Sequence, residues 1–322
     1  MCKSVFEQIN KLTAEKTPFL CLIDFDKSKP LVFPLDQIDP GLLLYDLNGI
    51  SNVPPDQVPV CLTQWEKKPV SPDQYRHAFD LVQRHLHYGD SFLLNLTFPT
   101  SLATNLDLLQ IFHLSRARYK VWLKDHFITF SPEPFIRIEG GSIASYPMKG
   151  TINSATPDAE KEILANRKEA EEHLTIVDLI RNDLAIVARN IRVERFRYVE
   201  KVKTIQSELL QVSSEIRGQV LPEYWPSLGS LLDQVLPAGS ISGAPKKKTI
   251  EIIKMAEGYD RGYFTGMVGL FDGRRFDSGV MIRFIQQTTQ GLEYRSGGGI
   301  TINSQFEKEY LEMIDKVYVP VV

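Results

Sequence analysis

The sequence has few cysteines and no cysteine-pair motif. Only Cys2, Cys21 and Cys61 occur among 322 residues, an odd number without a Cys-x-x-Cys spacing. A disulfide framework or a zinc site is therefore disfavoured, and the composition fits a reducing compartment. Residues 1–16 carry charges throughout and contain no continuous apolar segment, so no signal peptide is predicted. Together these features predict a cytoplasmic protein.

Long apolar runs and an excess of one charge are also missing. Nowhere do 18 apolar residues follow one another, so no segment is predicted to span a membrane. The 37 Lys and Arg against 40 Asp and Glu give a net charge of −3, without a dominant basic face or tail. This balance argues against a partner that is a nucleic acid or an anionic membrane. An apolar fraction of 43% without low-complexity segments excludes a disordered chain.

The periodic patterns mix runs of short strands with long helices. Residues 1–70 read as short strands, and Ser71-Pro72-Asp73 is a helix start that predicts a helix over 72–88. Residues 91–98 form an apolar strand, and Glu139-Gly140-Gly141 is typical of a hairpin turn. Further helices are predicted over 157–187 and 304–317. Without a regular strand–helix alternation, the pattern predicts an α+β fold with antiparallel sheets.

Two predicted helices carry acidic clusters. In the last helix, which Ser304 to Glu307 would start as a capping box, Glu309, Glu312 and Lys316 share one face. The helix over 157–187 carries Glu172, as well as an Asp178 that is predicted to be buried within an apolar run. Each cluster is either a solvated face or one side of a cleft. If both point into one cleft, their carboxylates suit Mg²⁺.

Four other segments have both a structural and a functional interpretation. The loop over 236–248 is either an anion-binding nest or a plain turn. Gly297-Gly298-Gly299 is either a hinge or a backbone surface open to a carboxylate. Arg283, in the predicted apolar strand over 280–285, forms either a buried ion pair or a carboxylate clamp. Lys149 is either an exposed strand end or a buried amine with a lowered pKa, able to act as a nucleophile or base.

Taken together, these segments resemble the chorismate-utilising enzymes over about residues 72–318, in the family's order. Co-linear motifs are far more specific than any one motif. The motifs are Ser131–Phe135, Pro147–Thr151, Glu172–Asp183, Pro237–Lys246, Gly266–Gly269, Asp277–Arg283, Gly297–Ile300 and Glu309–Lys316. The resemblance implies large antiparallel sheets in a two-layered core flanked by helices. It also implies a single chorismate-binding domain over 1–322, with a shortened strand-rich portion over 1–70 and a catalytic core over 71–322.

The resemblance also implies a role for individual residues. A Lys at position 149 marks the branch that makes 4-amino-4-deoxychorismate for folate synthesis, aminodeoxychorismate synthase component I. By this resemblance Lys149 is the nucleophile and Glu133 the general acid/base. Glu172 and Glu309 are the Mg²⁺ ligands, with Glu312 assisting. The residues expected to hold the substrate, a dianion, are Thr151, Ser242, Tyr263, Arg283, Gly298, Gly299 and Lys316.

Three departures from the family pattern qualify the resemblance. Leu93 occupies a position that is usually Gln, Leu210 stands where the family has a His, and the N-terminal portion is shorter. No glutaminase Cys/His domain is found, so ammonia is expected from a separate glutamine amidotransferase subunit. The alternatives are anthranilate synthase component I, against which Lys149 argues, and a non-catalytic chorismate-binding subunit.

Overall fold

A computed structural model describes residues 2–55, 61–203 and 208–320. Its first half alternates short strands with three helices. The elements in chain order are α1 Cys2–Ala14, β1 Phe19–Ile23, β2 Leu31–Pro34, β3 Leu43–Leu47, β4 Ile50–Ser51, β5 Trp65–Lys68, α2 Pro72–Tyr88, β6 Leu94–Thr104, α3 Leu108–Leu114, β7 Tyr119–Leu123, β8 Phe127–Ser131, β9 Pro134–Glu139 and β10 Ser142–Ser145.

The second half contains the longest strands and six helices in the described residues. The elements are β11 Met148–Asn153, α4 Ala159–Ala165, α5 Arg167–Ala185, β12 Ala188–Lys203, β13 Glu208–Val220, α6 Leu228–Val235, α7 Gly239–Ser242, α8 Lys246–Glu257, β14 Met267–Phe271, β15 Arg275–Val280, β16 Phe284–Thr288, β17 Gly291–Ile300 and α9 Phe306–Asp315.

The strands form two large sheets in which every strand pair is antiparallel. The first sheet has the order β11-β13-β10-β9-β15-β14-β1-β2, with β12 also paired to β13. The second has the order β4-β3-β7-β8-β16-β17-β6-β5. Distant segments of the chain are neighbours in both sheets, so each sheet combines strands from the N-terminal and the C-terminal half of the chain.

Strand β1 shows why the two sheets stack with helices outside them. All five of its residues are buried. Leu20 and Leu22 pack into a core that contains residues of both sheets, whereas Phe19, Cys21 and Ile23 point the other way, toward α1, α5 and α6. Successive side chains of a strand point to opposite faces, so a strand buried on both faces lies in an inner layer.

The second sheet is covered in the same way on its outer face. Helices α2, α8 and α9 pack against β6, and α3 packs against β7 and β8. The arrangement is helix layer, sheet, sheet, helix layer. The predicted α+β class with a two-layered sheet core flanked by helices is confirmed. Among the described residues, no helix is long and apolar enough to cross a membrane.

Several predicted elements have the predicted bounds, and others do not. The helix over 72–88 and the turn at 139–141 are confirmed. The prediction of strands only over 1–70 is wrong, because Phe6, Ile9 and Leu12 lie at helical spacing and bury one face of α1. The predicted strand over 91–98 begins at Leu94, since the preceding residues pair with Ala244 instead.

The two acidic helices also differ from their predictions. The segment 157–187 is two helices, because Asn166 leaves the helical conformation and caps α5 by accepting from the Glu169 N–H. The predicted capping box of the last helix is wrong. The Ser304 hydroxyl accepts from the Thr301 N–H, and within the described structure the side chain of Gln305, at the N-cap, makes no capping hydrogen bond.

Candidate active site

A cavity of about 1140 Å³ lies beside α5, close to the upper range for small-molecule sites. Its walls come from α5, α7, β6, β11, β17 and the segments around residues 133, 264 and 283. Six of the residues to which the family resemblance assigns a role line it: Glu133, Lys149, Glu172, Arg283, Gly299 and Lys316. The structure therefore brings together residues that are up to 183 positions apart (316 − 133).

Lys149 and Glu172 form an ion pair in the cavity wall, with 2.7 Å between Nζ and Oε2. Their side chains are 29% and 17% exposed. Lys149 lies where the pairing of β11 with β13 is interrupted between Met148 and Thr151. The next residue, Gly150, has a φ of 85°, which favours glycine, and a β-carbon there would meet Glu169. This bulge directs the Lys149 side chain toward α5.

The predicted lowering of the Lys149 pKa is wrong for this arrangement. Burial by itself would lower the pKa of the amine. The carboxylate of Glu172, together with those of Glu169 and Glu312, outweighs burial and raises the pKa above its ordinary value. The amine is therefore a stable cation here, and its use as a nucleophile requires the pair with Glu172 to change.

Glu133 lies between β8 and β9 and faces the cavity. The hydroxyl of Ser240 donates to Glu133 Oε1 at 3.0 Å. Burial raises the pKa of the Glu133 carboxyl, while the Ser240 hydrogen bond and the charges of Arg283 and Lys316 partly offset this effect. A carboxyl whose pKa is raised in a cavity is a candidate general acid.

Ser240 is a cavity residue that the sequence analysis did not select. The predicted substrate-binding residue is Ser242, two positions along the same short helix. The Ser242 side chain is fully buried and its hydroxyl donates back to the Ala238 carbonyl, so the structure does not bring it to the cavity. Only the tertiary structure distinguishes the two hydroxyls, because both lie in the same Gly/Ser/Pro segment.

Arg283 does not lie within a strand, contrary to the prediction. Strands β15 and β16 belong to different sheets, and Arg283 lies in the crossing between them with a φ of 52°. Two backbone hydrogen bonds hold this crossing in place. The Thr265 N–H donates to Met281 O, and the Met281 N–H donates to Gly266 O, both at 2.8 Å. Thr265 itself has a φ of 60° and lines the cavity. Two residues in the left-handed region at one cavity wall indicate a backbone built around this site.

The last helix places a second set of charges near β17. Lys316 Nζ donates to Gly297 O at 2.9 Å and to Glu312 Oε1 at 2.6 Å. A β-carbon at Gly298 would lie 3.2 Å from Glu312 Oε1 and 3.5 Å from Glu309 Oε2. Glycine thus lets two carboxylates approach the strand backbone.

Other residues named in the sequence differ from their predicted setting or lie outside the cavity. Tyr263 donates its hydroxyl to Lys29 O at 2.6 Å, and the cavity wall is formed by its neighbour Phe264. Asp178 is not buried as predicted: it lies at the exposed edge of the cavity and pairs there with Arg181, because the helix turns it away from its apolar face. The side chain of Thr151 lies outside the described part of the structure, so its role stays a prediction. Leu93 is buried in the cavity wall.

The carboxylates fit Mg²⁺ in chemistry but are not assembled as a ready site. In residues 2–55, 61–203 and 208–320, no group of three or more His, Cys, Asp and Glu side chains is positioned to hold a metal. Glu309 and Glu312 both approach Gly298, and the charges of Glu172 and Glu312 both act on Lys149. Carboxylate oxygens from two helices therefore approach one region, and oxygen is the ligand that Mg²⁺ prefers.

Comparison with known proteins identifies the family. Residues 44–321 match the family described as chorismate binding enzyme. The chain belongs to this family. A Haemophilus influenzae protein named "Uncharacterized PabA-like protein" is 48% identical over 98% of this chain and 96% of its own length. Aminodeoxychorismate synthase component 1 of Salmonella typhimurium is 33% identical over 82% of this chain. The corresponding Bacillus subtilis protein is 31% identical over 78% of this chain.

This chorismate binding enzyme is shorter than the two named synthases. It aligns with 60% of the Salmonella protein and 55% of the Bacillus protein. Among solved structures, the menaquinone-specific isochorismate synthase MenF of Escherichia coli superposes with a TM-score of 0.74 at 16% identity, over 98% of this chain and 80% of its own. Anthranilate synthase component I of Streptococcus pneumoniae superposes with a TM-score of 0.65 at 24% identity, over 80% of this chain and 59% of its own. These likenesses show the fold.

Proposed function

We propose that this chain is an aminodeoxychorismate synthase component I, which aminates chorismate to 4-amino-4-deoxychorismate for 4-aminobenzoate and folate synthesis. The observation that carries the proposal is the amine of Lys149 in the cavity wall, paired with Glu172. The relatives that carry this name support the proposal at 31–33% identity, although they are considerably longer.

The proposed reaction has two displacements. The neutral amine of Lys149 bonds to C2 of the ring, the ring double bonds shift, and the C4 hydroxyl leaves as water after it receives a proton from Glu133. Ammonia then bonds to C4, the double bonds shift back, and the C2–nitrogen bond to Lys149 breaks. The amine and Glu133 regain their starting protonation states as ammonia loses one proton. The sum is chorismate plus ammonia to aminodeoxychorismate plus water.

Cations in the cavity wall suit a substrate with two carboxylates. Arg283 and Lys316 both lie near Glu133, since both lower its pKa, and Gly299 leaves the strand backbone open beside them. Glu172, Glu309 and Glu312 would hold Mg²⁺, which neutralises and anchors a substrate carboxylate when bound. We further propose that a separate glutamine amidotransferase subunit supplies the ammonia, as the "component 1" of the relatives' names suggests.

The test is incubation with chorismate, ammonium and Mg²⁺, with product identification by mass spectrometry and intact-protein mass measurement. We expect aminodeoxychorismate from the parent, an adduct on Lys149, and neither from Lys149→Ala. Lys161→Ala is the matched control, because Lys161 is exposed and pairs with Asp158 at the surface. Anthranilate as the product would instead assign the chain to the anthranilate branch. Binding of chorismate without any product would indicate a non-catalytic subunit.

A further inference from the structure

Ser214 lies at a junction between the two segments that carry Lys149 and Glu172. It is in β13, and its side chain is fully buried. The pairing of β12 with β13 shifts between Arg195 and Tyr198, directly opposite Ser214. The irregular stretch of β11, between Met148 and Thr151, lies two residues further along β13, opposite Val212. Ser214 therefore faces one bulge and lies two residues from another, in a region where regular ladder bonds do not fix the backbone.

The backbone of Ser214 holds the segment that leads to Lys149. Its N–H donates to Pro147 O at 2.9 Å. Pro147 precedes Lys149 by two residues, and the bulge begins directly after Met148. This bond thus anchors the chain directly before β11, whose irregular stretch directs the amine into the cavity.

The side chain of Ser214 holds the helix that carries Glu172. His173, the next residue of α5, has its Nε2 2.6 Å from Ser214 Oγ and is 1% exposed. The Phe196 ring packs edge-on against the imidazole at 5.9 Å. Ser214 Oγ also accepts from the Arg197 N–H at 2.9 Å. A buried hydroxyl with two hydrogen bonds fixes the rotation of α5 at the residue beside Glu172.

We propose that Ser214, acting through His173, is a positioning residue that sets the contact between Lys149 and Glu172. The role rests on the proposed function only in so far as this contact serves catalysis. One residue anchors both sides of the ion pair, so removal of its hydroxyl frees α5 while the backbone bond to Pro147 remains. Substitution of a residue that orients a metal ligand through a hydrogen bond typically lowers metal affinity or activity by about 10- to 100-fold.

The test compares Ser214→Ala with Ser213→Ala. Ser213 is the matched control, because it is the adjacent buried serine of the same strand, and its hydroxyl has no hydrogen-bond partner among the described residues. Crystal structures of both variants give the Lys149–Glu172 distance. Calorimetric titration gives the affinity for Mg²⁺ without chorismate. Steady-state kinetics separate kcat from KM.

For Ser214→Ala we expect the Lys149–Glu172 contact to open beyond hydrogen-bond distance, Mg²⁺ to bind about 10-fold more weakly and kcat to fall about 10-fold. Ser213→Ala should stay within about twofold of the parent. An ion pair within about 0.5 Å of the parent geometry in Ser214→Ala overturns the proposal. If Ser214→Ala does not fold, Ser214→Cys, which fills the space with a weak donor, replaces it.

The distance measurement also separates this proposal from the proposed function. A parent protein that aminates no chorismate contradicts the proposed function, while the comparison of the two serine variants still decides the role of Ser214. A parent that binds no Mg²⁺ contradicts the metal assignment, and the same crystallographic comparison again remains decisive.

Discussion

Lys149 Nζ lies 2.7 Å from Glu172 Oε2, so the proposed nucleophile and a proposed metal ligand are ion-paired to each other. Each group thereby satisfies the other's charge in a partly buried setting. The pair keeps the amine protonated and occupies a carboxylate oxygen. Any ligand of Glu172 competes with Lys149 for it, which couples metal binding to the state of the amine.

Glu172→Gln should weaken Mg²⁺ binding and stop amination. The substitution keeps the shape of the side chain but removes the charge that Mg²⁺ prefers, so we expect affinity to fall about 10-fold or more. Glu171→Gln is the control, because Glu171 is 61% exposed and pairs with Arg167. Titration calorimetry with MgCl₂ measures the effect. Equal affinities in the two variants would contradict the assignment of Glu172.

Ser240→Ala should move the pH profile in a defined direction. The Ser240 hydroxyl stabilises the charged form of Glu133 and lowers its pKa. Its removal raises the pKa of Glu133 further, and a general acid stays protonated up to a higher pH. The alkaline limb of kcat/KM due to Glu133 should therefore shift to higher pH. Ser242→Ala should leave that limb in place, and a shift to lower pH in Ser240→Ala would exclude this role.

Arg283→Lys should raise KM for chorismate more than it lowers kcat. Lysine keeps the charge but loses the planar, two-pronged contact with a carboxylate. A charged hydrogen bond contributes about 1.5–3 kcal/mol, which corresponds to about a 10- to 100-fold rise in KM. Arg181→Lys is the comparison, because Arg181 lies at the exposed edge of the same cavity. An unchanged KM in Arg283→Lys would place the substrate elsewhere.

Glu257→Gln should destabilise the fold strongly. Arg261 Nε donates to Glu257 Oε2 at 2.8 Å, and the two side chains are 2% and 1% exposed. Arg261 also donates to Thr265, the strained residue of the cavity wall. Removal of one partner leaves a buried charge, which costs about 3–5 kcal/mol.

The equivalent change in an exposed pair gives the reference for that measurement. Lys11, in the last turn of α1, and Glu15, directly after its end, are also four residues apart, but their side chains are 72% and 50% exposed. Glu15→Gln should change the free energy of unfolding by about 0.5 kcal/mol or less. Urea unfolding followed by tryptophan fluorescence compares the two variants. Similar midpoints would show that the buried pair contributes little.

Much of the site could be predicted from the sequence because its motifs are short and local. Glu133, Lys149, Glu172 and Lys316 each belong to a motif, and all four line one cavity. Local signals also sufficed for the helix that Ser71 caps, where the hydroxyl accepts from an N–H three residues later. The chorismate binding family follows from the same motifs.

The errors share a different cause. Arg283 was predicted within a strand, but the apolar run is divided between two sheets by a left-handed turn. Tyr263 and Ser242 were selected, whereas their near neighbours Phe264 and Ser240 face the cavity. For Tyr263 and Ser242, a shift of one or two residues decides which side chain faces the cavity, and local sequence patterns do not resolve such shifts.

The sequence alone determined the class of fold, the family and the segments that form the site, because periodicity and motifs are properties of neighbouring residues. Only the tertiary structure decided which atoms meet. The bulge at Gly150, the anchor at Ser214 and the rotation of α5 bring Lys149 against Glu172, and this contact reverses the predicted direction of the Lys149 pKa. Charge interactions depend on distance through space, and that distance is set by strands far apart in the chain.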